Sequence, residues 1–138
     1  MRTLFYPKSI AVFGVSESTN NLGKSIVKNL LDFRFDGKIF PIGKKEGAVH
    51  GLPIRTSVLD VPDEVESAIF LVPAKAIPAM LEECGRKGVK RAVISSGGFS
   101  EFSGERRDLE EQVVSIAERY GMRFIGPNCL GLINQDNG

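Results

Sequence analysis

The chain has 138 residues, 42% of them hydrophobic and 25% charged, with 18 Lys plus Arg against 17 Asp plus Glu. This is the composition of one globular domain long enough to bury a core. The lack of a basic excess argues against a general nucleic-acid binder. No apolar run approaches the ~18–20 residues of a membrane span, and Pro7 interrupts the start before a signal-peptide core can form. With no secretion signal, reduced thiols and a cytoplasmic setting are the default for Cys84 and Cys129. These two form no CxxC pair and His50 is the only histidine, so metal clusters and His-based triads find no support.

Ile10-Ala11-Val12-Phe13 reads as a first buried strand, and Leu22 to Phe33 as a helix with Ile26, Val27, Leu30 and Leu31 on one face, capped by Asn20 or Asn21. Asp36-Gly37 turns the chain into a second strand, Lys38 to Ile42. The segment Gly43 to Asp63, rich in Gly, Pro and charge, is expected to wrap the sheet edge as a loop with a turn or two. Ala68 to Val72 is apolar throughout, as in a central parallel strand, and Pro73 ends it. Ile77, Met80, Leu81 and Cys84 then follow at helical spacing, predicting a helix from Ala76 to Lys87 closed by Gly88. Arg91 to Ile94 forms a fourth strand. Leu109, Val113, Ile116, Ala117 and Tyr120 mark a further helix closed by Gly121, and Met122 to Ile125 a fifth strand. Alternating strands and amphipathic helices predict an α/β, Rossmann-like open parallel sheet with helices on both faces.

In such a fold, ligands bind at the carboxyl edge of the sheet. Five loops should line it: Gly14–Lys24, Pro41–Gly47, Pro73–Ala76, Ser95–Phe102 and Gly126–Gly131. The first carries Ser16, Ser18 and Thr19 into a helix start, where N–H groups and the helix dipole favour an anion such as phosphate. The alternative is an ordinary turn whose glycines serve only its geometry. Gly14 and Gly23 stand nine apart, so this is not the tight dinucleotide fingerprint. NAD sites usually place an acid after the second strand. Here the chain reads Pro41-Ile42-Gly43-Lys44-Lys45, which favours NADP or a 3′-phosphorylated ADP such as that of coenzyme A, unless the lysines are a solvated pair. Ser95-Ser96-Gly97-Gly98 can donate to a ligand or serve as a flexible turn. Glu101 reads as a loop-stabilising acceptor, Cys129 as a small packing residue, Cys84 as core and His50 as solvent-facing.

The run Leu4 to Ser16, followed in order by Leu71-Val72-Pro73-Ala74, Ser96-Gly97-Gly98-Phe99-Ser100-Glu101 and Gly126-Pro127-Asn128-Cys129-Leu130-Gly131, resembles the NDP-forming acyl-CoA synthetases. It is similar also to the CoA-binding domain of the succinyl-CoA synthetase alpha subunit. The resemblance covers essentially the whole chain and implies a CoA-binding domain over residues 1–138. By that resemblance Gly14, Val15, Ser16, Ser18, Asn20, Gly23 and Lys24 lie at the CoA phosphates. Pro41 with Lys44 or Lys45 flanks the adenosine phosphate end, Val72, Pro73 and Ala74 the adenine and ribose, and Ser96 and Gly97 the pantetheine. The Gly-Pro-Asn-Cys loop lies near a phosphorylated histidine supplied by a following ligase domain, while an ATP-grasp domain handles nucleotide.

His50 does not match that histidine, and Phe40-Pro41-Ile42-Gly43-Lys44 departs from the family's usual Asn-Pro-Lys wording. The resemblance thus implies the first domain of a larger ADP-forming ligase that binds CoA and by itself catalyses nothing. A protein lysine acetyltransferase that fuses this region to an acetyl-transfer domain is a related parent. The rival expectations are an NADP- or NAD-binding oxidoreductase or redox-sensing module, and a stand-alone CoA-binding protein.

Overall fold

The five strand-forming runs pair into one parallel sheet because, past their first residues Ser9, Lys38, Ser67, Arg91 and Arg123, each is apolar where helices must cover it. The computed structural model describes residues 2–96, 104–127, 129–132, 134 and 136. In chain order the elements are α1 (Arg2–Phe5), β1 (Ser9–Phe13), α2 (Leu22–Asp32), β2 (Lys38–Ile42), β3 (Gly47–Val49), β4 (Leu52–Ile54), β5 (Ser67–Phe70), α3 (Ile77–Lys87), β6 (Arg91–Ile94), α4 (Gly104–Tyr120) and β7 (Arg123–Ile125). Short 3-10 turns occupy Val58–Asp60 and Ala74–Ala76.

The sheet order is β2-β1-β5-β6-β7, so the chain first steps from β1 to β2 and then crosses back over β1 to β5. That reversal opens a crevice between the carboxyl ends of β1 and β5, where doubly wound sheets bind ligands. Val27 of α2 packs with Ile10, Val12 and Ile39 on one face. Ile77, Leu81 and Cys84 of α3 and Val113, Ile116 and Ala117 of α4 cover Ala11, Phe13, Ala68, Phe70 and Ile94 on the other. Directly beneath the crevice the Phe13 and Phe70 rings stack with centroids 4.5 Å apart, which ties the two strand ends together.

Two expectations change. The third predicted strand ends at Phe70 instead of Val72, because the Val72 N–H turns away from the ladder to a serine hydroxyl. The segment after Gly43 is more than a loop. It holds an antiparallel hairpin, Val49 opposite Leu52, with His50 (φ 48°) and Gly51 (φ 80°) as a two-residue turn. Val49 and Ile54 are buried against the α2 side of the core, and Arg55 then pairs along β2, its N–H donating to Pro41 O at 3.1 Å. The hairpin therefore extends the sheet's β2 edge and leaves His50 exposed at its tip.

Helix ends follow the caps. Asn21, not Asn20, is the N-cap of α2, its side chain accepting from the Lys24 N–H at 2.7 Å. At the other end, Phe35 N–H reaches Leu30 O and Arg34 N–H reaches Leu31 O, a Schellman closure with Arg34 at φ 57° where glycine is usual. Gly88 and Gly121 close α3 and α4 with the left-handed backbone their positions predict.

Candidate functional site at the carboxyl edge

Gly14 leaves β1 at φ +90°, and a Cβ there would stand 2.1 Å from Leu71 O. Only glycine lets β1 and β5 close up this tightly at the crevice. Gly23 serves the same purpose for the helix: a Cβ on it would lie 2.7 Å from Gly14 O, so α2 begins directly on the strand exit. Between them runs the Ser16–Asn20 loop, with Ser16 half-buried and Ser18, Thr19 and Asn20 exposed.

Hydrogen bonds lace the strand exits into one rim. Gly14 and Val15 N–H groups both donate to Ile42 O at 3.0 Å, joining β1 to β2. Leu71 N–H donates to Phe13 O at 3.2 Å and Ser95 N–H to Phe70 O at 3.1 Å, which carries the rim across β5 to β6. The buried Ser96 hydroxyl accepts from Val72 N–H at 3.3 Å. Ser95 Oγ donates to Cys129 O at 2.7 Å, and the Cys129 thiol donates to Ile94 O at 3.4 Å, tying in the loop after β7. Asn21 is the hub of the first loop: its Oδ1 accepts from Ser16 N–H at 3.1 Å as well as from Lys24 N–H, and its Nδ2 donates to Gly14 O at 2.9 Å.

The backbone donors that the sequence assigns to phosphate are therefore partly engaged. The N–H groups of Gly14, Val15 and Ser16 have partners within the fold. The first-turn N–H groups of Leu22 and Gly23 are the ones without an intrahelical acceptor, and the Ser16, Ser18 and Thr19 hydroxyls stand next to them in the chain. Lys24 turns its ammonium back to Glu17 O at 3.1 Å, over the same loop. Pro41 lies inside β2 and is buried, so it shapes the edge from within. Lys44 and Lys45 are exposed in the turn between β2 and β3, and Val72, Pro73 and Ala74 line the β5 exit, half-buried or exposed. Gly97, Gly98, Glu101 and Asn128 lie outside the described residues.

Three residues at this edge escape the sequence reading. Asn21 carries a visible signal, the cap position before an apolar helix, but its bonds to Ser16 and Gly14 do not follow from spacing. Lys75, exposed in the turn after Pro73, adds a fourth cation beside Lys24, Lys44 and Lys45; Lys75, Lys44 and Lys45 have no ion pair among the described residues. Glu17 accepts from Ala48 N–H at 3.0 Å, a contact between positions 31 apart that no local pattern announces.

Elsewhere among the described residues the surface offers no comparable chemistry. A depression of about 600 Å³ between α3 and α4 is lined by Glu82, Asp108, Glu111, Ser115 and Arg119 among others. Its carboxylates would repel a phosphate ligand. Cys84, on the buried face of α3, has its thiol pKa pushed up by burial and then by Glu83. Tyr120, at the end of α4, is raised by its hydrogen bond to Glu82 and lies away from this edge. Among the described residues, no group of three His, Cys, Asp or Glu side chains could hold a metal, and no helix is long and apolar enough to cross a membrane.

The family model described as the CoA binding domain matches residues 8–135. The chain belongs to the CoA-binding domain family. It is 44% identical over 137 residues to the acetate–CoA ligase [ADP-forming] I subunit alpha of Pyrococcus furiosus, covering 96% of this chain and 30% of that one. It is 46% identical over 136 residues to the acetate–CoA ligase [ADP-forming] I of Archaeoglobus fulgidus, covering 99% and 20%. Among solved structures, the acetyl-coenzyme A synthetase 1 of Ca. Korarchaeum cryptofilum, in complex with phosphate and ADP, superposes with a TM-score of 0.91 at 38% identity, covering 99% of this chain and 29% of that one. This CoA-binding domain thus spans between a fifth and three tenths of the length of these relatives.

Proposed function

We propose that this chain is the CoA-binding domain of an ADP-forming acid–CoA ligase, working in the cytoplasm as the first domain of a larger enzyme. The whole enzyme would convert an acid, CoA and ATP to acyl-CoA, ADP and phosphate, with a ligase domain supplying the phosphorylated histidine and an ATP-grasp domain or subunit handling nucleotide. The observation that carries the reading is the β1/β5 reversal point, flanked by Gly14 and Val72 with α2 opening beside it, in a member of this family.

The donor set fits coenzyme A. The start of α2 and the Ser16, Ser18 and Thr19 hydroxyls suit the diphosphate, with Asn20, Gly23 and Lys24 shaping that loop. Lys44 and Lys45 suit the 3′-phosphate as mobile point charges, and Val72, Pro73 and Ala74 offer an apolar ledge for adenine and ribose. Ser96 supports the ledge through its hydrogen bond from Val72 N–H. Coenzyme A supplies the thiol that accepts the acyl group; this chain grips its nucleotide end and directs the arm along the rim toward the Gly126–Gly131 loop.

Calorimetric titration with CoA, dephospho-CoA, NAD and NADP tests the proposal. Saturable CoA binding that weakens about tenfold without the 3′-phosphate is expected, since a charge-assisted contact contributes ~1.5–3 kcal/mol. Binding of NAD or NADP in preference to CoA would overturn it in favour of a redox-cofactor module.

A further inference from the structure

Glu17 is a carboxylate in a loop built to receive phosphate, where its charge alone would oppose the ligand. Its contacts give it another purpose. Its Oε1 accepts from Ala48 N–H at 3.0 Å, and Gly47 lies so close that a Cβ there would stand 2.9 Å from the same oxygen. Four residues before Gly47, Gly43 abuts the same loop: a Cβ on it would be 2.1 Å from Val15 O. The short segment 44–46 is therefore fastened to the β1–α2 loop at both ends. Consecutive Cα atoms are about 3.8 Å apart, so Lys44 and Lys45 lie within about 8 Å of Gly43, which touches that loop.

The base of the hairpin has its own anchors, in Val49 and Ile54 in the core and in Arg55 paired along β2. The hairpin is therefore held by more than Glu17, whose contact falls on its leading edge at Ala48. We propose that Glu17 is a positioning residue for 3′-phosphate recognition: by holding Ala48 it fixes the lysine-bearing turn beside the start of α2, so that one ligand meets both. This rests on the CoA reading of the site and assigns a residue that touches no ligand itself.

The test is the ratio of CoA to dephospho-CoA affinity in the 138-residue chain and its Glu17→Ala and Glu17→Gln variants, with amide exchange at Ala48 measured alongside. Glu17→Ala removes the acceptor and is expected to lower the ratio about tenfold, with faster exchange at Ala48 and little change in dephospho-CoA binding. Glu17→Gln keeps an acceptor oxygen without the charge and is expected to hold the ratio within about threefold of the parent. A ratio unchanged by Glu17→Ala overturns the proposal while leaving CoA binding intact. Equal tightening of CoA by both variants overturns it too, since Glu17 would then act only by repulsion. Failure of the unaltered chain to bind CoA overturns the functional reading and this one with it.

Discussion

Gly14→Ala is the substitution through which the crevice can be weighed. Alanine at φ +90° carries a left-handed penalty of roughly 1–2 kcal/mol, and its Cβ would sit 2.1 Å from Leu71 O and 3.2 Å from a Val72 methyl. Leu71 O is backbone, so no side-chain rotation relieves the overlap. Overpacking of this kind costs about 1–3 kcal/mol more, for a total of about 2–5 kcal/mol. Gly51→Ala is the matched control: φ is +80°, but a Cβ there meets nothing within 4 Å. Both variants stiffen the unfolded chain by a similar ~0.4–1 kcal/mol, which cancels between them. Urea unfolding of the two should differ by about 1–3 kcal/mol, a midpoint gap on the order of 1 M at usual slopes. Equal destabilisation would refute the claim that β1 and β5 meet at Gly14 with no room to spare.

Other consequences follow from the caps and the core. Asn21→Ala removes the N-cap and the bonds to Ser16 and Gly14; urea unfolding should report a loss near ~2 kcal/mol, the upper end of the range for a cap, and CoA should bind more weakly as the loop loosens. Arg34→Gly relieves a left-handed arginine and should raise stability by about 1 kcal/mol; a lower midpoint would contradict the Schellman assignment. A thiol reagent should label Cys129 but not Cys84 in the native chain, because Cys84 is fully buried. Burial raises the Cys84 pKa in the fold, so above about pH 8.5 the unfolded chain loses this proton while the native one keeps it. The contribution is complete at lower pH and declines as pH rises, by up to ~1.4 kcal/mol per unit, and Cys84→Ala should flatten that decline.

The strands with continuous apolar character, Ile10–Phe13 and the run from Ala68 above all, were legible because burial on both faces leaves no other composition. The α3 and α4 faces were legible from their spacing, as was that of α2 except at Leu31, which is exposed rather than packed beside Val27, and the carboxyl edge followed from strand–helix alternation. The β3–β4 hairpin was not, because strands of three residues, one containing Pro53, carry no period; only His50-Gly51 hinted at its turn. The internal use of the Gly14, Val15 and Ser16 N–H groups escaped for a different reason. Their acceptors, Ile42 O and the Asn21 side chain, become neighbours only once β2 pairs beside β1 and α2 starts at its cap. Glu17 and Ala48 are a long-range pair of the same sort.

Backbone amide shifts recorded during a CoA titration test the central claim most directly. The account predicts perturbations grouped at residues 16–24, 43–48, 71–76 and 95–96, around the β1/β5 crevice. Perturbations gathered instead along the α3–α4 depression, at Glu82, Glu111, Ser115 and Arg119, would contradict it.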